Sequence, residues 1–134
     1  MFESALRTEG VAGTPIADIA RSVYQQESGS GRDTRTSNAG AVGHMQVIPD
    51  TFRRMADPGW NINNTEHNIR SGIRYIKKLY DQAGGDVALT AAGYYGGEGA
   101  LEDARKGKAR RDPLNPGAPD TLQYGQEVAS RVQG

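Results

Sequence analysis

At 134 residues the chain is the size of one domain and long enough to bury a core of its own, while 36% hydrophobic residues and 18 glycines point to one modest core with long ordered loops. Sixteen basic and sixteen acidic side chains cancel, which removes the electrostatic case for a nucleic-acid or anionic-membrane partner. No cysteine is present, the two histidines (His44 and His67) are too few and too far apart for a metal site, and no apolar run approaches the roughly 18 residues of a membrane span, so disulfides, a metal or other cofactor, and membrane insertion are not expected.

The N-terminus carries acid early and has no apolar core segment, so no secretory signal is read there. Residues 1–13 read as a short helix with Phe2, Ala5 and Leu6 inward, stopped by Gly10, then a linker; the whole chain, 1–134, reads as a single domain. Thr14-Pro15 gives a cap and a first-turn proline for the next helix. Its apolar residues, Ile16, Ile19, Ala20, Val23 and Tyr24, recur at helical spacing and place Glu27 at the end of the buried stripe, with the helix running to about Ser28. A carboxylate there is costly unless paired, bonded or neutral, and a carboxyl group that keeps its proton near neutral pH can act as a general acid.

Residues 29–44 form a long loop with glycines at 29, 31, 40 and 43, a length that calls for a functional reason. Asp33 and Arg35 read as solvated, and Asp33 is the nearest acid that could serve as a second carboxylate. The loop leads to Met45 and to Gln46, whose amide brings a donor and an acceptor. An acid at a helix end beside a tight polar turn is a layout suited to a neutral, hydroxyl-rich ligand.

Pro49 to Met55 reads as a short helix with Phe52 and Met55 inward, broken by Asp57-Pro58-Gly59; Trp60 reads as a satellite of the core, with sugar stacking as the less favoured reading. Asn63 as cap, with Glu66 three residues on, opens the clearest helix, whose stripe is Ile69, Ile73, Ile76, Leu79 or Tyr80, and Ala83. Arg70, Arg74, Lys77 and Lys78 read as its solvated face, and Gly84-Gly85 ends it. Asp86 caps an almost wholly apolar helix from Val87 to Tyr95, followed by a short helix from Ala100 to Lys106 and five basic side chains within 105–111, read as a solvated loop. Pro113, Pro116, Gly117 and Pro119 mark a connector, and Asp120 caps a last helix with Tyr124, Val128, Ala129 and Val132 on one face. The class expected from these periodicities is all-α, with at most a short hairpin in 29–46.

Glu27-Ser28, then Ser37-x-Ala39-Gly40-Ala41-x-Gly43-x-Met45-Gln46, then Pro49-x-Thr51, resembles the signature of the soluble-type lytic transglycosylases, which have the goose-type lysozyme-like fold and cleave bacterial peptidoglycan glycan strands. Further along, Gly93-Tyr94-Tyr95-Gly96-Gly97 resembles the family's Ala-Tyr-Asn-Ala-Gly, with Tyr94 on the tyrosine and Tyr95 in place of the asparagine, and Asp120-Thr121-x-x-Tyr124 resembles its Glu-Thr-x-x-Tyr. His44 stands where the family prefers an apolar residue, and no catalytic role is assigned to it. The resemblance covers roughly residues 14–132 and implies a helical domain with a cleft formed by Glu27, the Gly40–Gln46 turn, Tyr94 and Tyr124.

It implies cleavage of the MurNAc–GlcNAc β-1,4 bond with Glu27 as acid and then base, the C6 hydroxyl of MurNAc closing a 1,6-anhydro ring. Ser37 and Gln46 would hold the saccharide by neutral hydrogen bonds, Tyr94 would line the cleft, and Met45 and Tyr124 would keep Glu27 poorly solvated. A goose-type lysozyme using Asp33 or another loop acid to activate water, a non-catalytic wall-binding module, and a structural plug of a phage tail or secretion system are the alternatives. The implied partner is the glycan strand outside the cytoplasm, which calls for delivery by a virion, a secretion machine or a longer protein. The Gly96-Gly97-Glu98-Gly99 turn with its following basic stretch also resembles the internal virion transglycosylases of tailed phages.

Overall fold

The computed structural model describes residues 1–37 and 39–133. Among them are seven helices: α1 (Phe2–Thr8), α2 (Pro15–Ser28), α3 (Pro49–Met55), α4 (Thr65–Gln82), α5 (Val87–Gly96), α6 (Glu98–Arg105) and α7 (Thr121–Gln133). No strand occurs among the described residues; one isolated antiparallel bridge joins Val42 and Val47, at the end of the 29–46 stretch for which at most a short hairpin is expected. The all-α class expected from periodicity is therefore the observed one. No described helix is long and apolar enough to cross a membrane. The chain forms two compact units, Met1–Tyr75 and Ile76 onward, and α4 passes from one to the other.

In the first unit α1 buries Phe2, Ala5 and Leu6, and α2 buries Ile16, Ile19, Ala20 and Val23. Proline stands at the first position of α2 as expected, but the Thr14 hydroxyl does not cap the helix: it donates to the Val11 carbonyl at 2.6 Å and tightens the preceding turn instead. The cap of α4 also differs from expectation. Asn64, not Asn63, supplies it: the Asn64 Oδ1 accepts from the His67 N–H at 3.0 Å. Asn63 is drawn the other way, because its N–H donates to Asn61 Oδ1 at 2.8 Å in a local Asx turn. The stripe Ile69, Ile73, Ile76, Leu79 and Ala83 is buried, and of the two candidates Leu79 rather than Tyr80 belongs to it.

Arg70 and Arg74 correct the reading of a solvated face. Their side chains are 19% and 24% exposed, and both pair with Glu9, itself 11% exposed, at 2.7 and 2.9 Å. Arg74 also reaches Asp57 at 2.9 Å and the Met55 carbonyl at 2.8 Å. Trp60 closes the cluster, stacked on His67 at 4.9 Å with the two guanidinium groups 4.7 and 4.3 Å from its ring centroid. Its ring packs on these partners, as a satellite of the core does, and remains half-buried. Lys77 and Lys78 are exposed, as expected.

The second unit begins within α4. Asp86 caps α5 by accepting from the Leu89 N–H at 2.9 Å. Helix α6 starts at Glu98, two residues before the expected Ala100, and Glu98 pairs with Lys78 at 3.1 Å. Asp120 and Gln123 cap α7 reciprocally: the Gln123 N–H donates to Asp120 Oδ1 at 2.8 Å and the Asp120 N–H donates to Gln123 Oε1 at 2.9 Å. The basic stretch is less free than expected, since Arg105 pairs with Glu102, Arg110 with Asp103 and Arg111 with Asp120.

The Glu9 cluster carries a stability prediction. Replacing a mostly buried carboxylate leaves two half-buried guanidinium groups undercompensated, which costs about 2 to 3 kcal/mol, whereas an exposed ion pair is worth less than about 1 kcal/mol. Glu9→Gln is therefore expected to lower the unfolding free energy in urea by several times more than Glu3→Gln, which removes the exposed pair with Arg21. Equal losses would show that the cluster behaves as an ordinary surface pair.

Candidate functional site

Glu27 stands on the last turn of α2 and is half-buried, as its place at the end of the apolar stripe predicts. The chain leaves the helix through Gly29 in the left-handed conformation, its N–H bonded to the Gln25 carbonyl at 2.9 Å. Ser28 pins the exit. Its buried hydroxyl donates to the Tyr24 carbonyl and accepts from the Gly31 N–H at 2.9 Å, and its carbonyl accepts from the Asp33 N–H at 2.9 Å.

The loop then folds back on itself. Ser37 is exposed; its N–H donates to the Ala41 carbonyl at 2.9 Å and its Oγ accepts from the Ala41 N–H at 3.0 Å, which leaves the hydroxyl hydrogen to donate outward. The Val42–Val47 bridge closes the motif turn. Gln46 sits in this turn at φ 50°, a left-handed conformation unusual for a residue with a side chain. Its backbone N–H donates to the Gly43 carbonyl at 3.1 Å, and its side-chain Nε2 donates to the carbonyls of Arg35 and Gly43 at 2.9 and 2.8 Å. Both amide hydrogens are thus used internally, and Oε1 is the atom that Gln46 can offer a ligand.

Met45 is wholly buried, and its N–H donates to Asn68 Oδ1 at 2.9 Å. Asn68 is the residue that sequence reasoning missed. It is 1% exposed, and its Nδ2 donates to the carbonyls of Val42 and Ile62 at 2.9 and 3.1 Å. Gly43 must be glycine beneath it: φ is 79°, and a Cβ there would lie 2.8 Å from Asn68 Nδ2. The signal for Asn68 was present. It lies one step before Ile69 and four before Gly72 on the buried side of α4, and a polar side chain there must find partners.

Asp33 is 54% exposed and held by the Arg35 guanidinium through two hydrogen bonds of 2.9 and 2.8 Å, and Arg35 brings its carboxyl down to about 2. It is ionised, solvated and tied to a cation, which makes it a weak proton acceptor.

The first unit therefore links Glu27, Ser37, Met45 and Gln46 through one hydrogen-bonded loop. Tyr94 and Tyr124 belong to the second unit. Tyr94 is half-buried on α5, and Tyr124 is 2% exposed on α7, stacked on Tyr95 at 4.3 Å with the rings 9° from parallel. Tyr95, which replaces the family asparagine, donates its hydroxyl to the Pro119 carbonyl at 2.8 Å and so ties α5 to the proline-rich connector.

Residues 9–115 match the family described as the transglycosylase SLT domain. The chain is 31% identical over 106 residues to the bifunctional muramidase/DL-endopeptidase CwlT of Bacillus subtilis, an alignment covering 79% of this chain and 28% of that protein. Its fold is similar to that of the lytic transglycosylase Slt of Pseudomonas aeruginosa, solved as an inactive mutant (TM-score 0.71, 23% identity, covering 98% of this chain and 22% of that one). It is likewise similar to the 70 kDa soluble lytic transglycosylase of Escherichia coli (TM-score 0.69, 24% identity, 87% and 21%). The chain spans about a quarter of the length of each of these proteins. The family match over most of the chain, together with the likeness to CwlT, establishes that this chain belongs to the transglycosylase SLT domain family.

Proposed function

We propose that this chain is a peptidoglycan lytic transglycosylase that cleaves the MurNAc–GlcNAc β-1,4 bond and leaves 1,6-anhydroMurNAc. Family membership supports the substrate class. The observation that supports the reaction type is the state of Asp33: the acid nearest to Glu27 in sequence is paired with Arg35 in an exposed ion pair and its affinity for a proton is low. In this reading Glu27 acts alone. Its carboxyl group protonates the glycosidic oxygen, the bond to C1 of MurNAc breaks, and GlcNAc departs with a free 4-hydroxyl. Positive charge develops at C1 in an oxocarbenium-like state. The Glu27 carboxylate takes the proton of the C6 hydroxyl of the same MurNAc as that oxygen bonds to C1. No water is consumed. Attack by a tethered hydroxyl gains from proximity, which is why one carboxylate suffices where hydrolases use two. Ser37 and Gln46 supply neutral hydrogen bonds to the saccharide.

Hydrolysis is the second reading, favoured by the name of CwlT, a muramidase. It requires a base that holds water, and Asp33 would have to leave Arg35 to provide one.

Delivery is also part of the proposal: the domain reaches the wall within a longer protein, a virion or a secretion apparatus. The large excess length of its relatives supports this. Peptide mass spectrometry of purified particles and of the secreted fraction should recover this sequence; recovery solely as a free cytoplasmic species would count against it.

Glu27→Gln keeps size and hydrogen bonding but cannot donate a proton. It is expected to lose roughly 10²- to 10⁴-fold or more in peptidoglycan clearing, while melting within a few degrees of the parent protein. Activity retained by that variant would move the acid elsewhere, with Glu98 the first alternative. The digest itself decides the reaction class. Muropeptides one water lighter than lysozyme products, and resistant to borohydride because they have no reducing end, are expected by mass spectrometry. Reducing-end products, lost on Asp33→Asn, would establish the hydrolase instead.

A further inference from the structure

Tyr24 and His44 form a pair to which the chemistry above gives no part. Tyr24 lies three residues before Glu27 on α2, and His44 lies between Gly43 and Met45 in the motif turn. Tyr24 Oη is 3.1 Å from His44 Nδ1. The phenol ring is stacked on Phe2 with centroids 4.2 Å apart, and lies 6.0 Å from the imidazole centroid. The loop after α2 closes against the pair: a Cβ on Gly31 would fall 2.6 Å from Tyr24 Oη and 2.9 Å from His44 Nδ1, so this approach requires glycine.

Burial pushes the Tyr24 phenol above its usual range, and of the two senses open to the bond the one taken here has the phenol donating to Nδ1. The hydrogen of a neutral His44 ring is then on Nε2, and an imidazolium carries one there as well. Nε2 has no hydrogen-bond partner among the described residues. His44 is half-buried, and no described side-chain nitrogen or oxygen of such a residue is both sealed from solvent and unbonded, so Nε2 reaches solvent. Two residues on, Gln46 has its amide hydrogens on backbone carbonyls and offers Oε1. One turn thus carries a group that can donate, His44 Nε2–H, and a group that can accept, Gln46 Oε1. A secondary amide, with one N–H and one C=O, is the ligand group that complements both.

We propose that His44 is a specificity-determining residue of the glycan site, its Nε2–H held in place by Tyr24 and donated to the acetamido carbonyl of an N-acetylated sugar. The proposal rests on the peptidoglycan reading and adds a polar contact at a position where the family pattern has an apolar side chain.

The test uses turnover of solubilised peptidoglycan strands and binding of N-acetylglucosamine oligomers by the parent protein, His44→Leu, His44→Gln, Tyr24→Phe and the Tyr24→Phe/His44→Leu double variant. Loss of one such hydrogen bond is expected to raise KM and oligomer Kd about 3- to 10-fold in His44→Leu with kcat nearly unchanged. His44→Gln, whose amide hydrogens reach about as far as Nε2, should restore most of the loss. Tyr24→Phe should raise KM by a smaller factor in the parent and by nothing further in the His44→Leu background. Imidazole ¹⁵N spectra should show the Nε2–H tautomer in the neutral ring, with the Nε2 signal shifting on addition of oligomer. An unchanged KM in folded His44→Leu with normal turnover would overturn this inference and leave the peptidoglycan reading standing. If His44→Leu does not fold, an unchanged KM in Tyr24→Phe together with an unmoved Nε2 signal would overturn it. A parent protein that neither binds nor cleaves glycan would overturn both.

Discussion

The first unit's site depends on one buried amide. Asn68 accepts from Met45 and donates to Val42 and Ile62, so it holds both ends of the motif turn and the approach to α4 in one set of bonds. Without it the Met45 N–H and the Ile62 carbonyl would lose this partner, each at a cost of about 1 to 3 kcal/mol, while the Val42 carbonyl would keep the Val47 N–H. The turn's geometry follows from this anchor. With the Met45 N–H fixed inward, its side chain enters the core, while His44 and Gln46 on either side of it remain half-buried.

Local strain gathers at the same place. The described non-glycine residues with positive φ are Ser30 and Gln46, one just after the Glu27 helix and one in the motif turn. Each such conformation costs on the order of 1 to 3 kcal/mol and persists only where its surroundings enforce it. Around Gln46 the enforcement is visible in the three hydrogen bonds its backbone and side chain donate. Around Ser30 it comes from the bond of its hydroxyl to Gln25 Oε1 at 2.9 Å and of its N–H to the Tyr24 carbonyl at 3.2 Å. A loop fixed this firmly needs little ordering when a ligand arrives, which is what a preorganised site requires.

Most of the helical plan was legible because it is local. Apolar spacing of three and four residues located the long helices α2, α4 and α7, the continuous apolar run located α5, and Asp86 and Asp120 announced their caps. The errors came where a local rule met a competitor. Asn61 captured Asn63 and passed the cap to Asn64. Arg70 and Arg74 look like solvent-facing charges until Glu9, some sixty residues earlier, and Trp60 are folded against them. The site divides in the same way. Glu27 could be singled out from its own helix, since only its place at the end of the stripe matters. The orientation of the Gln46 amide and the anchor at Asn68 depend on carbonyls 11 and 26 residues away in sequence, which no short motif encodes.

Uncharged groups stand out among what the described part of the 29–46 loop can offer a ligand. Asp33 and Arg35 satisfy each other, and Arg32 turns back to donate to the Gly29 carbonyl at 2.8 Å. The groups that remain are the Ser37 hydroxyl hydrogen, Gln46 Oε1 and the His44 imidazole. Each neutral hydrogen bond contributes only about 0.5 to 1.5 kcal/mol, because water is exchanged for a similar partner. A mismatch is more costly, since it strands a desolvated donor or acceptor. Recognition built this way is weak in affinity and strict about the pattern of donors and acceptors. A polymer substrate suits that balance, because many shallow contacts together can hold a strand.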